Sequence, residues 1–287
     1  MSDNLRGALL MALAMAGFAL EDMFIKLLAD ALPVGQILLL LGIAGALVFG
    51  AIAASKGQQV VSPALLSPAI LMRNLAEMIG TIGFVMGFVL GSLATASAIL
   101  QAAPLFVTLG AVLFLGEKVG WRRWSAISVG FLGVMLIVRP GLAGFEIASL
   151  LALIGVLGLA GRDLVTRVIP PVVSSYQISA WAFAMLIPAG TLLILVMGTP
   201  LQTPDAAQFG ILAAALGVGV LAYYALVASM RVGELSFVTP FRYTRMLFAL
   251  IVAMLVFGER PDALTLIGAA IIVSAGLFTL WRETRTG

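Results

Sequence analysis

The chain is a succession of apolar runs separated by short polar punctuation. With charges, proline and glycine as boundaries, the pattern predicts ten helices, over residues 5–28, 33–54, 69–90, 94–115, 121–138, 147–169, 175–196, 206–230, 235–257 and 263–281. Each is long enough to cross roughly 30 Å of hydrocarbon at about 1.5 Å per residue, the fifth and tenth only just. The alternating segments of about ten residues that a membrane β-barrel needs are absent. The expected fold is therefore an all-α integral membrane protein whose spans make up the whole chain, with no aqueous domain between them and no cleavable signal ahead of them.

Composition narrows the class. Hydrophobic residues make up 62% of the 287 and charged residues 10%, against about 45–50% and about 25% in soluble domains. The formal charge is +3, yet no basic cluster exceeds Lys118, Arg122 and Arg123, so the expected basic partner is the lipid bilayer surface and not nucleic acid. There is no cysteine and no histidine, which removes disulfides, thiolate nucleophiles, imidazole bases and the usual metal ligands. No metal and no other cofactor is expected. A P-loop consensus is missing, so the chain alone is not an ATP-driven pump. Glu21 and Asp22 are adjacent and point apart around a helix, which does not suit a carboxylate dyad. These absences argue against an enzyme.

Ten spans place both ends of the chain on one side. That side would hold Arg6, Lys56, Lys118, Arg122, Arg123, Arg162, Arg167, Arg231, Arg282 and Arg285, and the other only Arg139 and Arg260. The positive-inside rule makes the richer side cytoplasmic, in a bacterial-type inner membrane. Lys26, Arg73, Arg242 and Arg245 fall inside spans.

Two patterns recur at nearly one offset. EDMFIK (21–26) and RDLVTR (162–167) place Asp22/Lys26 and Asp163/Arg167 141 residues apart, and Gly116-Glu117 and Gly258-Glu259 lie 142 apart. The agreement predicts a duplication with halves 1–141 and 142–287, joined through RPGLAGF (139–145). Each half holds five spans, an odd number, so the second must enter the membrane inverted, as in alternating-access carriers. Asp22 then lies about 8 Å outward of its span centre and Asp163 about 8 Å inward of its own. The two Gly-Glu-Lys/Arg closures, the preceding ASAILQAAPLFVTLGAVLFLGE from Ala96 and the terminal GAAIIVSAGLFTLWRE from Gly268 resemble the EamA family of the drug/metabolite transporter superfamily. The resemblance covers essentially the whole chain. It implies ten helices, an inverted five-plus-five repeat and secondary transport of small metabolites, often amino acids or their relatives, and it leans toward export.

Ionisable residues inside spans cost about 2.5–3.5 kcal/mol on insertion scales, so they line the interior or pair. Helical i,i+4 spacing offers local pairs: Asp22 with Lys26, Arg73 with Glu77, Asp163 with Arg167. The mirrored pairs, with Glu21 and Arg162 beside them, are candidates for gating or proton coupling; anchoring a helix end is the competing reading. Nearer the midplane lie Glu77, Gln101, Arg242, Tyr243 and Arg245, the substrate-binding candidates. Arg242 and Arg245 have no acid on their own helix turn and need a partner from elsewhere. An inter-helix salt bridge to Glu77 would supply one. Alternatively the guanidinium takes a ligand carboxylate and Glu77 its ammonium, which predicts a zwitterionic, amino-acid-like substrate. An importer of a planar, vitamin-like compound such as riboflavin is the alternative, with Trp181, Tyr223, Tyr224 or Tyr243 stacking on it; a channel or intramembrane enzyme is remote. The glycines of GFVMGFVLG (83–91) read as close helix packing, and Gly155, Gly158 and Gly161 as a hinge before Arg162. Pro104 predicts a kink in the fourth helix that Met246, at the matching position of the ninth, leaves open.

Overall fold

The computed structural model describes residues 3–116, 120–139, 145–166, 168–169, 173–232 and 238–286, without the side chains of 122, 123, 230, 231, 279, 280 and 282–286. Among the described residues the chain is all helical, and its ten spans follow the apolar runs. α1 (Asp3–Ala29), α2 (Val34–Ser55) and α3 (Pro68–Leu90) form the first three. The fourth is broken into α4 (Leu93–Leu100) and α5 (Ala103–Phe114), and the fifth is α6 (Trp121–Val138). α7 (Ile147–Thr166), α8 (Ser175–Met197) and α9 (Ala206–Val232) follow. The ninth span begins as a 3-10 turn, Thr239–Tyr243, and continues as α10 (Thr244–Val256); α11 (Ala263–Thr286) is the tenth. Among the described residues, eight spans are long and apolar enough to cross a membrane, and α6 and α11 contribute the apolar stretches Trp124–Val138 and Ala263–Phe278.

Lipid offers no hydrophobic force between helices, so association rests on close backbone approach. The structure shows where that happens. Gly80, Gly83 and Gly87 of α3 and Gly91 just after it press on Leu159, Gly155, Ala152 and Ala148 of α7, one rising as the other falls. α2 meets α8 through Gly35 and Gly190, α6 meets α11 through Gly133 and Gly268, and α1 meets α9 through Gly17 and Ala222. Gly155 and Gly158 are thus packing positions: a Cβ on Gly155 would lie 2.2 Å from the Phe84 nitrogen and one on Gly158 2.5 Å from the Gly80 nitrogen. Packing thus occupies two of the three expected hinge positions, while a Cβ on Gly161 would meet only the Ala76 Cβ at 3.9 Å.

The helix pairs answer to an exchange of halves. The first span packs on the eighth and the third on the sixth, which are images of each other when five is added to or subtracted from each span number. The second packs on the seventh, the fourth meets the ninth and the fifth packs on the tenth, each pair being its own image. The repeated Gly-Glu has a physical cause as well. Gly116 and Gly258 close α5 and α10 with φ of 69° and 64°, the left-handed conformation a helix end takes most readily on glycine. In the second copy the Glu259 N–H then reaches back to the Ala253 carbonyl at 3.0 Å.

Candidate functional site

The two interrupted spans meet at the centre. Pro104 near the start of α5 and Pro240 within the 3-10 turn lack amide donors, and the ladder tightens into one 3-10 turn at Gln101–Ala102 and another before Thr244. Both spans are therefore interrupted, by different prolines. Gln101 Nε2 donates to the Tyr243 carbonyl at 2.9 Å, and these two residues lie 142 apart, so the bond joins equivalent points of the two halves. The Tyr243 hydroxyl is buried without a hydrogen-bond partner, and a Cβ on Gly276 would overlap it.

The charges group into three sets around this crossing. In the first, Arg245 of α10 donates to Asp22 of α1 at 2.7 Å. Its guanidinium also lies 5.2 Å from the centroid of the Phe18 ring and 5.5 Å from that of Phe84, contacts worth about 0.5–2 kcal/mol each as desolvation increases. In the second, Glu77 of α3 takes Arg73 at 2.7 Å and Arg162 of α7 at 2.9 Å. Arg162 also holds Asp163 at 2.8 Å, and Asp163 meets Arg242 only at 4.0 Å. Side-chain exposure climbs along this chain, from 2% at Arg73 and 9% at Glu77 to 22% at Arg162, 29% at Asp163 and 35% at Arg242. Charged groups this exposed cannot sit against lipid cheaply, and their exposure rises toward the end where α7 stops at Thr166.

The third set lies at the opposite end. Lys26 Nζ lies 2.7 Å from Glu259 Oε1 and donates to the Gly91 carbonyl at 2.7 Å. Glu259 accepts in addition from Ser92 Oγ at 2.7 Å and from the Leu93 and Ala94 amides at 3.0 Å each, which are free donors of the first turn of α4. Burial alone would push the Glu259 carboxyl up, but the Ala94 amide, Lys26, Ser92 and the Leu93 amide together hold it below the ordinary carboxylate range. A cleft of about 690 Å³ borders this latch, lined by Lys26, Ser92, Glu146, Phe257 and Glu259 among others.

The expected pairs fare differently. Arg73 with Glu77 forms as the spacing predicts. Asp22 and Lys26 do not pair with each other: each reaches across to the second half, to Arg245 and Glu259, because helix neighbours on α1 face different partners. Arg242 and Arg245 take their acids from other helices as expected, but those acids are Asp163 and Asp22, while Glu77 is held by Arg73 and Arg162. Arg167 lies outside the described residues, as do Lys118 and Glu117. Glu21 is half-buried on α1, and among the described residues no hydrogen bond or ion pair reaches its carboxylate. Trp181 donates its indole N–H to the Val60 carbonyl at 2.8 Å and is 4% exposed, and Tyr223 packs edge-on against Phe49, so these two rings are engaged in packing. Sequence reasoning missed Glu259 and Ser92. The signal was present in the repeated Gly-Glu, which read as a helix end without chemistry.

The fold is that of a ten-span membrane protein with paired halves, interrupted central spans and buried charges. The chain belongs to the EamA-like transporter family, whose model matches residues 5–139 and again 146–281. It is 31% identical over 215 residues to a riboflavin transporter of Rhizobium johnstonii, covering 75% of this chain and 70% of that one. It is 26% identical to an S-adenosylmethionine uptake transporter of Rickettsia felis, covering 75% and 72%, and 25% identical to a pseudopaline exporter of Pseudomonas aeruginosa, covering 94% of both. A solved crystal structure, 17% identical, superposes with a TM-score of 0.62 over 99% of this chain and 98% of the other, which shows the fold. The protein is thus a multi-pass membrane transporter of small metabolites.

Proposed function

We propose that the protein is a secondary carrier moving a small zwitterionic, amino-acid-like metabolite across the cytoplasmic membrane by alternating access, with export as its direction. The observation that carries the reading is the exposure of Arg242, a guanidinium inside a span whose only acid among the described residues stands 4.0 Å away. It is free to take a substrate carboxylate by a bidentate fork. Halves 1–141 and 142–287, inverted in the membrane with both ends of the chain cytoplasmic, supply the two access states. In this reading the latch at Glu259 marks the closed mouth and exposed Arg242 the open one, so that the carrier faces the cytoplasm. The pseudopaline exporter, alike over 94% of both chains, supports the direction. A proton taken up by an in-span carboxylate is the proposed coupling ion.

The test is counterflow in proteoliposomes with a metabolite mixture, amino acids first and flavins second. Saturable counterflow of a zwitterion that Arg242→Gln slows by about tenfold or more supports the reading, since a charge-assisted fork is worth at least that. The likeness to riboflavin transporters favours a second reading. Counterflow of riboflavin alone, indifferent to Arg242→Gln, would establish it and end the first.

A further inference from the structure

The relation between the halves sends each member of the charged network to a counterpart, and the two counterparts of the Arg162–Glu77 pair do not form a pair of their own. At the offset of 141 Glu21 corresponds to Arg162, and at 142 Glu77 corresponds to Gly219. Packing supports both offsets independently: Gly17 presses on Ala222, and the residues to which the same offsets carry that pair, Gly158 and Gly80, press on each other. In one of the two equivalent places Arg162 and Glu77 form an ion pair at 2.9 Å. In the other, Glu21 faces bare backbone, because a Cβ on Gly219 would lie within contact of its Oε1. A carboxylate stands where the image has an arginine, and no side chain stands where the image has a glutamate.

Nothing described neutralises Glu21. Its neighbour Asp22 is committed to Arg245 at 2.7 Å, so that guanidinium is already taken. A carboxylate kept inside a span without a partner is a functional group by default, facing water or a ligand. A metal ion would need several more oxygen ligands, and among the described residues no group of three or more His, Cys, Asp or Glu side chains is placed to hold one.

We propose that Glu21, with the backbone of α9 at Gly219 as floor, is the seat for a cationic group: the ammonium of the transported metabolite. The assignment rests on the carrier reading above and sharpens it: the ammonium is taken not by Glu77, which two arginines occupy, but by the carboxylate that none occupies, at a stage of transport separate from the Arg242 fork. Glycine at 219 lets the Glu21 carboxylate lie against the α9 backbone at the place where the other half carries Glu77.

The experiment treats the purified full-length protein with N,N′-dicyclohexylcarbodiimide, which modifies in-membrane carboxyls not clamped by a fixed cation, and maps the adduct by mass spectrometry. The expected main site is Glu21, with Asp22, Glu77 and Asp163 spared, and the adduct vanishes in Glu21→Gln. Methylammonium chloride, the probe cation, lowers Glu21 labelling about threefold or more relative to sodium chloride at equal ionic strength, as mass action requires of an occupied site. Gly219→Ala, whose methyl would displace the carboxylate, abolishes that protection. Labelling that neither salt changes, or that both change alike, overturns the proposal, and so does labelling that follows pH alone, which would make Glu21 a proton carrier only. Methylammonium protection without zwitterion counterflow keeps this site and removes the substrate reading; counterflow without protection does the reverse.

Discussion

Arg245 and Asp22 show what a single pair decides. Each is a poor guest in hydrocarbon, and together they tie α1 of one half to α10 of the other at 2.7 Å with 18% and 8% of the side chains exposed. Asp22→Asn leaves a mostly buried guanidinium without its anion, and breaking a buried pair from one side costs about 3–5 kcal/mol. The expected outcome is a clear fall in the thermal midpoint of the detergent-solubilised protein, with the double change Asp22→Asn and Arg245→Gln recovering much of it. A double-mutant cycle measures the coupling, and additive losses would dissolve the pair as an energetic unit. The site was partly legible at this scale. That Arg242 and Arg245 need acids from elsewhere followed from the empty i±3 and i±4 positions around them. Which acids they find did not, since periodicity orders residues on one helix and says nothing of which helix lies opposite.

Among the elements, the α3 and α7 pair carries the closest backbone approach, with glycines of one helix against glycine and alanine of the other. Gly155→Ala places a methyl against the Phe84 backbone, which no rotamer change relieves. Overpacking of this kind costs about 1–3 kcal/mol, occasionally more. Gly210→Ala on α9 meets nothing within 4 Å and gains helix propensity, about 0.5–1 kcal/mol. Thermal unfolding in detergent should therefore drop for the first and hold or rise for the second. Close packing by Gly83 and Gly87 was readable from their spacing. The role of Gly155 was not, because a glycine run before a charged motif has the same sequence whether it bends or packs.

For the whole molecule, the proposed alternating access places its gates at the two ends. The Lys26–Glu259 latch pins α1 and the end of α10 to the first turn of α4. Its carboxyl is held below its ordinary value, so the stabilisation it gives is complete above the unfolded carboxylate pKa of about 4.3 and is lost as pH falls through the depressed folded value. Opening at this mouth is expected in Glu259→Gln at neutral pH and in the unaltered protein only on acidification below that range. The chain has no cysteine, so Ala94→Cys, at a buried position, reports it directly. A membrane-impermeant thiol reagent should label it faster in the Glu259→Gln background, and equal rates would mean that the latch does not gate.

The sequence by itself determined the ten spans, the class of protein and the existence of two related halves, because burial in lipid demands long apolar helices and a duplication leaves a fixed offset. It also marked which residues carry charge into the membrane. Only the tertiary structure decided who meets whom: Asp22 with Arg245 and not Lys26, Lys26 with Glu259, Glu77 with two arginines, Glu21 with bare backbone at Gly219. Insertion free energy is summed residue by residue along one helix and can be read from a line of text, whereas a salt bridge depends on helices brought together from far apart in the chain by glycines that look alike wherever they occur.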